Sequence, residues 1–439
     1  MKTRIKNATI VHPENMQQGD ILLENGKIVA VGDGADQRAD HVYDASGLFA
    51  FPGFIDMHVH LDAKIMNYSL ADDYVSGSRV AVKNGITTLF SFITQGKQSD
   101  LAEDVKAVKD HAASGLFCNL GWHITPVRWD EETFDEIETL IDRGQRSFKF
   151  YTTYRMAGLY RSYAQIEGFA QRFGKRDITI LVHCEDDQTI ASAQRSVDTV
   201  ADYAALRTPE AEVLAISQII KICVKTQCHF HVVHVSTAEG ARLIAEAASK
   251  CPITCETAPQ YLFLNDDVFH GRQGLHYLCT PPIRAEHNRA QLLEQFYHGA
   301  INVLATDHCP FTMIDKATEY PRFDAIPKGL CGLDFLVPLA FNLFQNEPDG
   351  LQKICAFLSA EPARILELDD HKGRIKPGYD ADITLVRLGE PHTLQSRDGL
   401  FNPYENRATN ITVEAVFLRG IQVVRDAVLL ELPPQGELL

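Results

Sequence analysis

FPGFIDMHVHLD, residues Phe51–Asp62, is the stretch on which the reading of this chain turns. A proline and a glycine interrupt what precedes it, and a short apolar strand follows. Alternate side chains of a strand share a face. Asp56, His58 and His60 therefore point one way, and Ile55, Met57 and Val59 the other. Two imidazoles about 7 Å apart on one strand face are able to bind one cation or to anchor two neighbouring ones. A lone His-x-His pair is also common as surface or core histidines, so the reading depends on what the rest of the chain adds.

Outward from that stretch, short β-rich runs alternate with helical ones. Eight such runs follow one another: Phe54–His60, Thr87–Phe92, Phe117–Ile124, Ser147–Tyr151, Thr179–Cys184, Phe230–Val235, Ile253–Thr257 and Ile301–Thr306. Amphipathic segments such as Leu101–Ala113, Glu131–Arg143, Tyr163–Phe173, Ala211–Thr226, Thr237–Lys250 and Arg289–Tyr297 lie between them. Eight β-runs alternating with helices predict an α/β fold of the (β/α)8 TIM-type barrel over residues 52–366. No G-x-G-x-x-G follows the first run, which weighs against a dinucleotide-binding sheet.

The two ends differ from this middle. RIKNATIV and DILLENGKIVAVG read as strands, with Asn25-Gly26 as a hairpin turn. Gly373–Val386 and Thr412–Val424 return to that character. Residues 1–51 and 367–439 are thus expected to form one small, discontinuous β-sandwich domain. Between them, the stretch after residue 311 with Pro321, Pro327 and Gly329 is expected to be a loop over the barrel mouth, with helices following to about Leu366.

Bulk composition narrows the functional class. The 439 residues are 45% hydrophobic and 23% charged, as in a soluble globular protein, and carry a formal charge of −16. That sign argues against nucleic acid or an anionic membrane as partner. The ten cysteines contain no C-x-x-C pair, and several lie in apolar runs as small buried hydrophobes. Cys309, beside Asp307, is read the same way. With neither a cleavable signal nor a bilayer-length apolar run, a cytoplasmic location is expected.

In a barrel of this kind the active site forms at the C-terminal ends of the strands. Run one ends with His58 and His60, run four holds Lys149, run five ends with His183, run six with His234 and run eight with Asp307. Each has an ordinary explanation: a snorkelling lysine, core histidines, a helix N-cap. Five strand ends converging with only nitrogen and oxygen donors instead suit a pair of divalent ions such as Zn²⁺. The lysine fits once its amine has taken up CO₂ as a carbamate, an anionic donor able to bridge two metals.

Met57–Leu61, Lys149, His183, His234 and Thr306–Phe311 together resemble the amidohydrolase superfamily, in which a carboxylated lysine bridges a binuclear metal centre. ETAPQYL at 256–262, PPIR at 281–284 and IPKG at 326–329 are similar to its cyclic amidohydrolases, the dihydropyrimidinases and hydantoinases. The resemblance implies that His58, His60 and Asp307 hold one metal and His183 and His234 the other, with Lys149 bridging. It implies that Tyr154 polarises the substrate carbonyl, and that Thr280 and Lys328 stand where a serine and an asparagine contact the substrate ring, largely through backbone groups. His123, His231 and His308 fall outside the ligand set. The implied reaction is hydrolysis of a cyclic amide by a hydroxide bridging the metals, with Asp307 carrying the proton to the leaving nitrogen. The implied assembly is a homotetramer or homodimer.

Substrate class rests on less. Dihydroorotases carry an arginine shortly after the His-x-His pair, whereas this chain has Asp62 there, which favours an uncharged dihydropyrimidine or hydantoin ring. Lys64, Arg155 and Lys328 are alternative cations that keep dihydroorotate open, and allantoin is a further alternative. Lys328 and Cys331 depart from the dihydropyrimidinase pattern. The superfamily also contains non-catalytic scaffold proteins that have lost metal ligands; here all six ligand positions are filled.

Overall fold

In the computed structural model, residues 2–439 are described except 66, 114, 194–196 and 318–324. A strand forms at each of the eight expected β-runs: β1 (Phe54–Asp56), β2 (Ile86–Thr94), β3 (Asn119–Thr125), β4 (Ser147–Tyr151), β5 (Thr179–His183), β6 (His229–Val232), β7 (Ile253–Thr257) and β8 (Val303–Leu304). Strands β1, β6 and β8 are shorter than expected, so His58, His60 and His234 follow their strands instead of lying on them. They pair in parallel in sequence order from β1 to β8. Parallel neighbours require a crossover, and helices such as Leu101–Ala112, Glu131–Asp142, Tyr163–Phe173 and Pro209–Thr226 supply it on the outer face.

Closure between β8 and β1 is made partly by a side chain. The buried Asp56 carboxylate accepts hydrogen bonds from the Thr306 hydroxyl at 2.6 Å and the Thr306 amide at 3.1 Å. Just beyond, Val59 and His308 form a parallel bridge, and His60 N donates to His308 O at 2.7 Å. Asp56 thus joins the two strands whose ends carry His58, His60 and Asp307.

The chain ends build a nine-stranded sheet in which Phe49–Pro52 joins the N-terminal Lys2–Val11 to the C-terminal Ile383–Thr393. Its own core draws on both ends, including Ile5, Ile10, Ile21, Ile383, Leu385 and Phe417. The hairpin at Asn25-Gly26 has positive φ at both residues (50° and 81°), as its turn type requires, and registers Glu24 opposite Lys27. Phe51, on the strand leading into the barrel, meets Phe341 edge-on at 5.6 Å and ties the sheet to the barrel's helices.

Two segments of the C-terminal region reach back to the barrel. Leu394, Leu400 and Tyr404 join its hydrophobic core. Residues 436–439 run beside β3, where Leu120 N donates to Glu437 O at 2.8 Å and Leu439 N donates to Leu120 O at 2.9 Å. The stretch expected to be a loop after residue 311 begins with a short helix, Met313–Ala317. Pro321 lies outside the described residues. Within Pro327–Gly329 the chain lies close to Cys309: a Cβ on Gly329 would stand 2.3 Å from Cys309 O, so only glycine fits.

Candidate metal centre and active site

The strand ends do converge. His58, His60 and Asp307 bring one ligand atom each within 4.8 Å of one another, and both imidazole Nε2 atoms lie 3.3 Å from Asp307 Oδ1. The His183 and His234 rings are adjacent at 4.5 Å, and His234 lies 5.4 Å from His58. Lys149 is 1% exposed, which removes the snorkelling alternative. Its Nζ lies 5.2 Å from the rings of Phe92 and Tyr151, and its charge weakens proton binding at His58, His183, His234 and Asp307.

Local electrostatics suit cation binding. Burial pulls the Lys149 amine down to about 8, although Glu256 and Asp307 oppose the shift. Burial also lowers His58, His183 and His234, so each imidazole is a neutral donor near pH 7. It would raise Asp307, but His58 and His60 outweigh it and hold that carboxyl below its ordinary value. His234 Nδ1 is buried and has no hydrogen-bond partner among the described residues. A buried nitrogen left without a proton-sharing partner is costly unless something else binds the ring.

A surrounding set of carboxylates holds the rings. Glu256, at the end of β7, bonds His58 Nδ1 through Oε1, accepts from His234 N at 3.3 Å, and places Oε2 3.3 Å from His231 Nε2. Anchoring His58 at Nδ1 leaves Nε2, the atom that faces Asp307, as its free donor. Glu185, just past β5, lies 2.7 Å from His183 Nε2 and pairs with Arg207. Burial would raise the Glu185 carboxyl, but Arg207 and His183 bring it down to about 2.

Three of the expected site residues hold a left-handed backbone: Tyr154 at φ 67°, His234 at φ 39° and Asp307 at φ 51°. Such conformations are uncommon outside glycine, and they concentrate where side-chain aim matters more than backbone comfort. Tyr154 follows β4 and packs 5.1 Å from the His183 ring, under the guanidinium of Arg207 at 5.0 Å. Burial raises its phenol well above the ordinary value, so it remains a hydrogen-bond donor. Thr280 bonds the hydroxyl of Tyr203, and Lys328 lies 5.3 Å from the Tyr203 ring while donating to Ile326 O at 2.8 Å.

The histidines expected to fall outside the ligand set each bond a neighbouring group. His123 Nε2 donates to Met57 O at 2.8 Å, His231 Nδ1 lies 2.9 Å from Thr254 Oγ1, and His308 lies 3.0 Å from Asp72. Asp62 bears on substrate charge less than its sequence position implied. Its carboxylate is taken by His111 at 2.6 Å, at the end of the Leu101–Ala112 helix. Arg155 is likewise engaged, by Asp187 at 2.8 Å, and Lys64 is exposed. All ten cysteines are buried and reduced.

Sequence reasoning did not reach Glu185, Arg207, Tyr203 or Glu256. The first had a signal in LVHCE, two residues past His183 on the same face, and the last in a carboxylate closing an apolar strand. Arg207 and Tyr203 had none, because they enter from the helix Val200–Leu206 and its end.

A profile of the amidohydrolase family matches residues 49–423. The chain belongs to that family. This amidohydrolase is 28% identical to an allantoinase from Salmonella choleraesuis (strain SC-B67) over 456 aligned residues, covering 99% of this chain and 98% of the relative. Its fold matches a D-hydantoinase crystal structure with a TM-score of 0.94 at 25% identity, and a dihydropyrimidinase from Brevibacillus agri NCHU1002 with 0.93 at 26%. Each covers 100% of this chain and 98% of the other. The (β/α)8 barrel with a sheet from both chain ends is therefore the family's architecture, as the sequence led us to expect.

Proposed function

We propose that this amidohydrolase opens an uncharged hydantoin- or dihydropyrimidine-type ring by hydrolysing its amide C–N bond. It is a cyclic amidohydrolase, in line with its full-length relatives. The observation that carries the reading is the grouping of His58, His60 and Asp307 beside His183, His234 and a buried Lys149, with Tyr154 packed on His183.

This donor set fits a pair of divalent cations: among the described residues the buried His234 Nδ1 has no hydrogen-bond partner, and burial holds the Lys149 amine well below an ordinary lysine. His58, His60 and Asp307 would hold one ion and His183 and His234 the other. Lys149, N6-carboxylated, would bridge them. Zn²⁺ suits imidazole and carboxylate donors. Two such ions supply polarisation of the ring carbonyl and acidify water near neutral pH.

The chain's own groups do the rest. Asp307, ionised by its histidine neighbours, accepts the proton of the attacking water and returns it to the leaving ring nitrogen. Tyr154 donates its hydroxyl hydrogen to the carbonyl oxygen as negative charge builds there. Thr280 and the Lys328 backbone border the ring. Glu256 and Glu185 keep their histidines from turning.

A second reading, allantoin as the ring, has one specific support: the likeness to allantoinase runs the length of both chains. Allantoin is itself a substituted hydantoin, so both readings share one ring and one site. Residues 1–51 with 367–439 form the small domain, 52–366 the catalytic one, and the protein works as a cytoplasmic homodimer or homotetramer. Among the described residues no helix is long and apolar enough to cross a membrane. Metal analysis of the purified protein tests the enzyme reading against a scaffold role. About two equivalents per chain support it, and a metal-free protein that stays metal-free on reconstitution rejects it.

A further inference from the structure

Beyond the ligands and Tyr154, one buried ion pair touches both halves of the chemistry. Glu185 Oε2 lies 2.7 Å from His183 Nε2, and the same oxygen takes Arg207 Nη1. The Arg207 guanidinium carbon also lies 5.0 Å from the ring centre of Tyr154 and 5.6 Å from that of Tyr203. Arg207 is fixed in turn from behind, because its carbonyl oxygen accepts Arg284 Nη1, and Arg284 Nε donates to Ser236 Oγ at 2.9 Å. Arg284 ends the segment that carries Thr280, and Ser236 lies two residues past His234.

We propose that Glu185 and Arg207 are a pair of positioning residues that set the His183 ring and the Tyr154 ring together. The inference rests on the metal-dependent reading of the site. Glu185 binds His183 at Nε2, which leaves Nδ1 as the ring's ligand atom. A ring without this tie is free to present the other nitrogen. Arg207 settles where Glu185 sits and, through its flat face, where Tyr154 sits. Tyr154 holds a left-handed backbone at φ 67°, ψ 40°, and its ring packs against Tyr151 and His183 as well as against the guanidinium. Among the described residues Glu185 Oε1 and Arg207 Nε have no hydrogen-bond partner, and the side chains of the pair reach His183, Tyr154 and Tyr203.

The test compares Glu185→Gln, Arg207→Met, Arg207→Lys and the double variant E185Q/R207M with the wild type, each stripped of metal and titrated with Co²⁺. The visible spectrum then reports the two equivalents separately. E185Q keeps the side chain's shape and is expected to weaken one equivalent about 10–100-fold while the other binds as before. R207M is expected to weaken that same equivalent and to lower kcat about tenfold or more with KM changed less than about threefold. R207K restores part of both losses. The double variant is no worse than the more damaged single one, because the two residues act as a unit. Where R207M fails to fold, E185Q and R207K carry the comparison. Two equivalents bound with wild-type affinity in E185Q and R207K would overturn the proposal, as would strictly additive losses in the double variant. A wild type that binds no Co²⁺ would instead overturn the hydrolase reading.

Discussion

Lys149→Ala is the most informative single substitution. The side chain is buried between Phe92 and Tyr151, and burial takes its pKa to about 8. At about pH 7.5 roughly a quarter of the amine is neutral, against about one part in a thousand for an ordinary lysine near 10.4. The neutral amine is the form that reacts with CO₂, so the fold raises its reactive fraction by about two orders of magnitude. As pH rises toward 8, more amine is neutral, so the proposed carbamate, and with it metal uptake by apoprotein supplied with bicarbonate, is expected to increase across that range. On the proposed reading K149A lacks the bridging donor altogether. It is expected to lose at least one of two metal equivalents and about 10³-fold or more in turnover, about 4 kcal/mol of transition-state stabilisation. A short carboxylic acid added to K149A supplies an oxygen donor in the vacated space and restores part of the metal. Metal content, ring-opening rate and the native mass of the wild type, heavier by one CO₂, are the assays. Full metal occupancy with wild-type turnover in K149A would refute the reasoning, as would an active, metal-loaded wild type with an unmodified lysine.

Three further outcomes are expected. Tyr154→Phe removes the oxyanion donor and should lower kcat about 10²–10³-fold with metal content unchanged; unchanged kcat would remove Tyr154 from the chemistry. Asp72 is buried, accepts two 2.7 Å hydrogen bonds from Arg397 and lies 3.0 Å from His308. Burial would raise its carboxyl, but His308 and Arg397 hold it well below the unfolded value. Its stabilisation is therefore complete at neutral pH and is lost as pH falls through and below the ordinary carboxylate range. Asp72→Asn should cost about 2–3 kcal/mol at pH 7 and flatten the acid limb of the stability curve, which chemical denaturation at several pH values measures. Gly329→Ala drives a methyl against Cys309 O and should cost about 1–3 kcal/mol, with a raised KM because Lys328 and its neighbours border the ring.

Much of the barrel was legible because strand and helix periods alternate cleanly, and each expected run from Phe54 to Thr306 contains a strand, although β1, β6 and β8 stop short of the expected ends. The candidate ligands were legible because they sit at or near strand ends: His58, His60, Lys149, His183, His234 and Asp307 each close or interrupt an apolar run. What sequence could not supply was aim. Asp62 was read as disfavouring an anionic substrate, yet a left-handed turn at φ 49° hands its carboxylate to His111. The short helix Met313–Ala317 follows Thr312, whose hydroxyl and amide both meet Asp315, a local capping pattern hidden by the glycine and prolines downstream. Arg207 and Tyr203 reach the site from a helix far from any strand end, and Glu185 and Arg207 are 22 residues apart in the chain. Such long-range pairings leave no periodic trace.

The central claim is tested most directly by incubating metal-loaded protein with hydantoin, dihydrouracil, allantoin and dihydroorotate and measuring the ring-opened acids. The account predicts chelator-sensitive opening of at least one uncharged ring, with dihydroorotate a poorer substrate. All four rings left intact by protein carrying its full metal complement would contradict it.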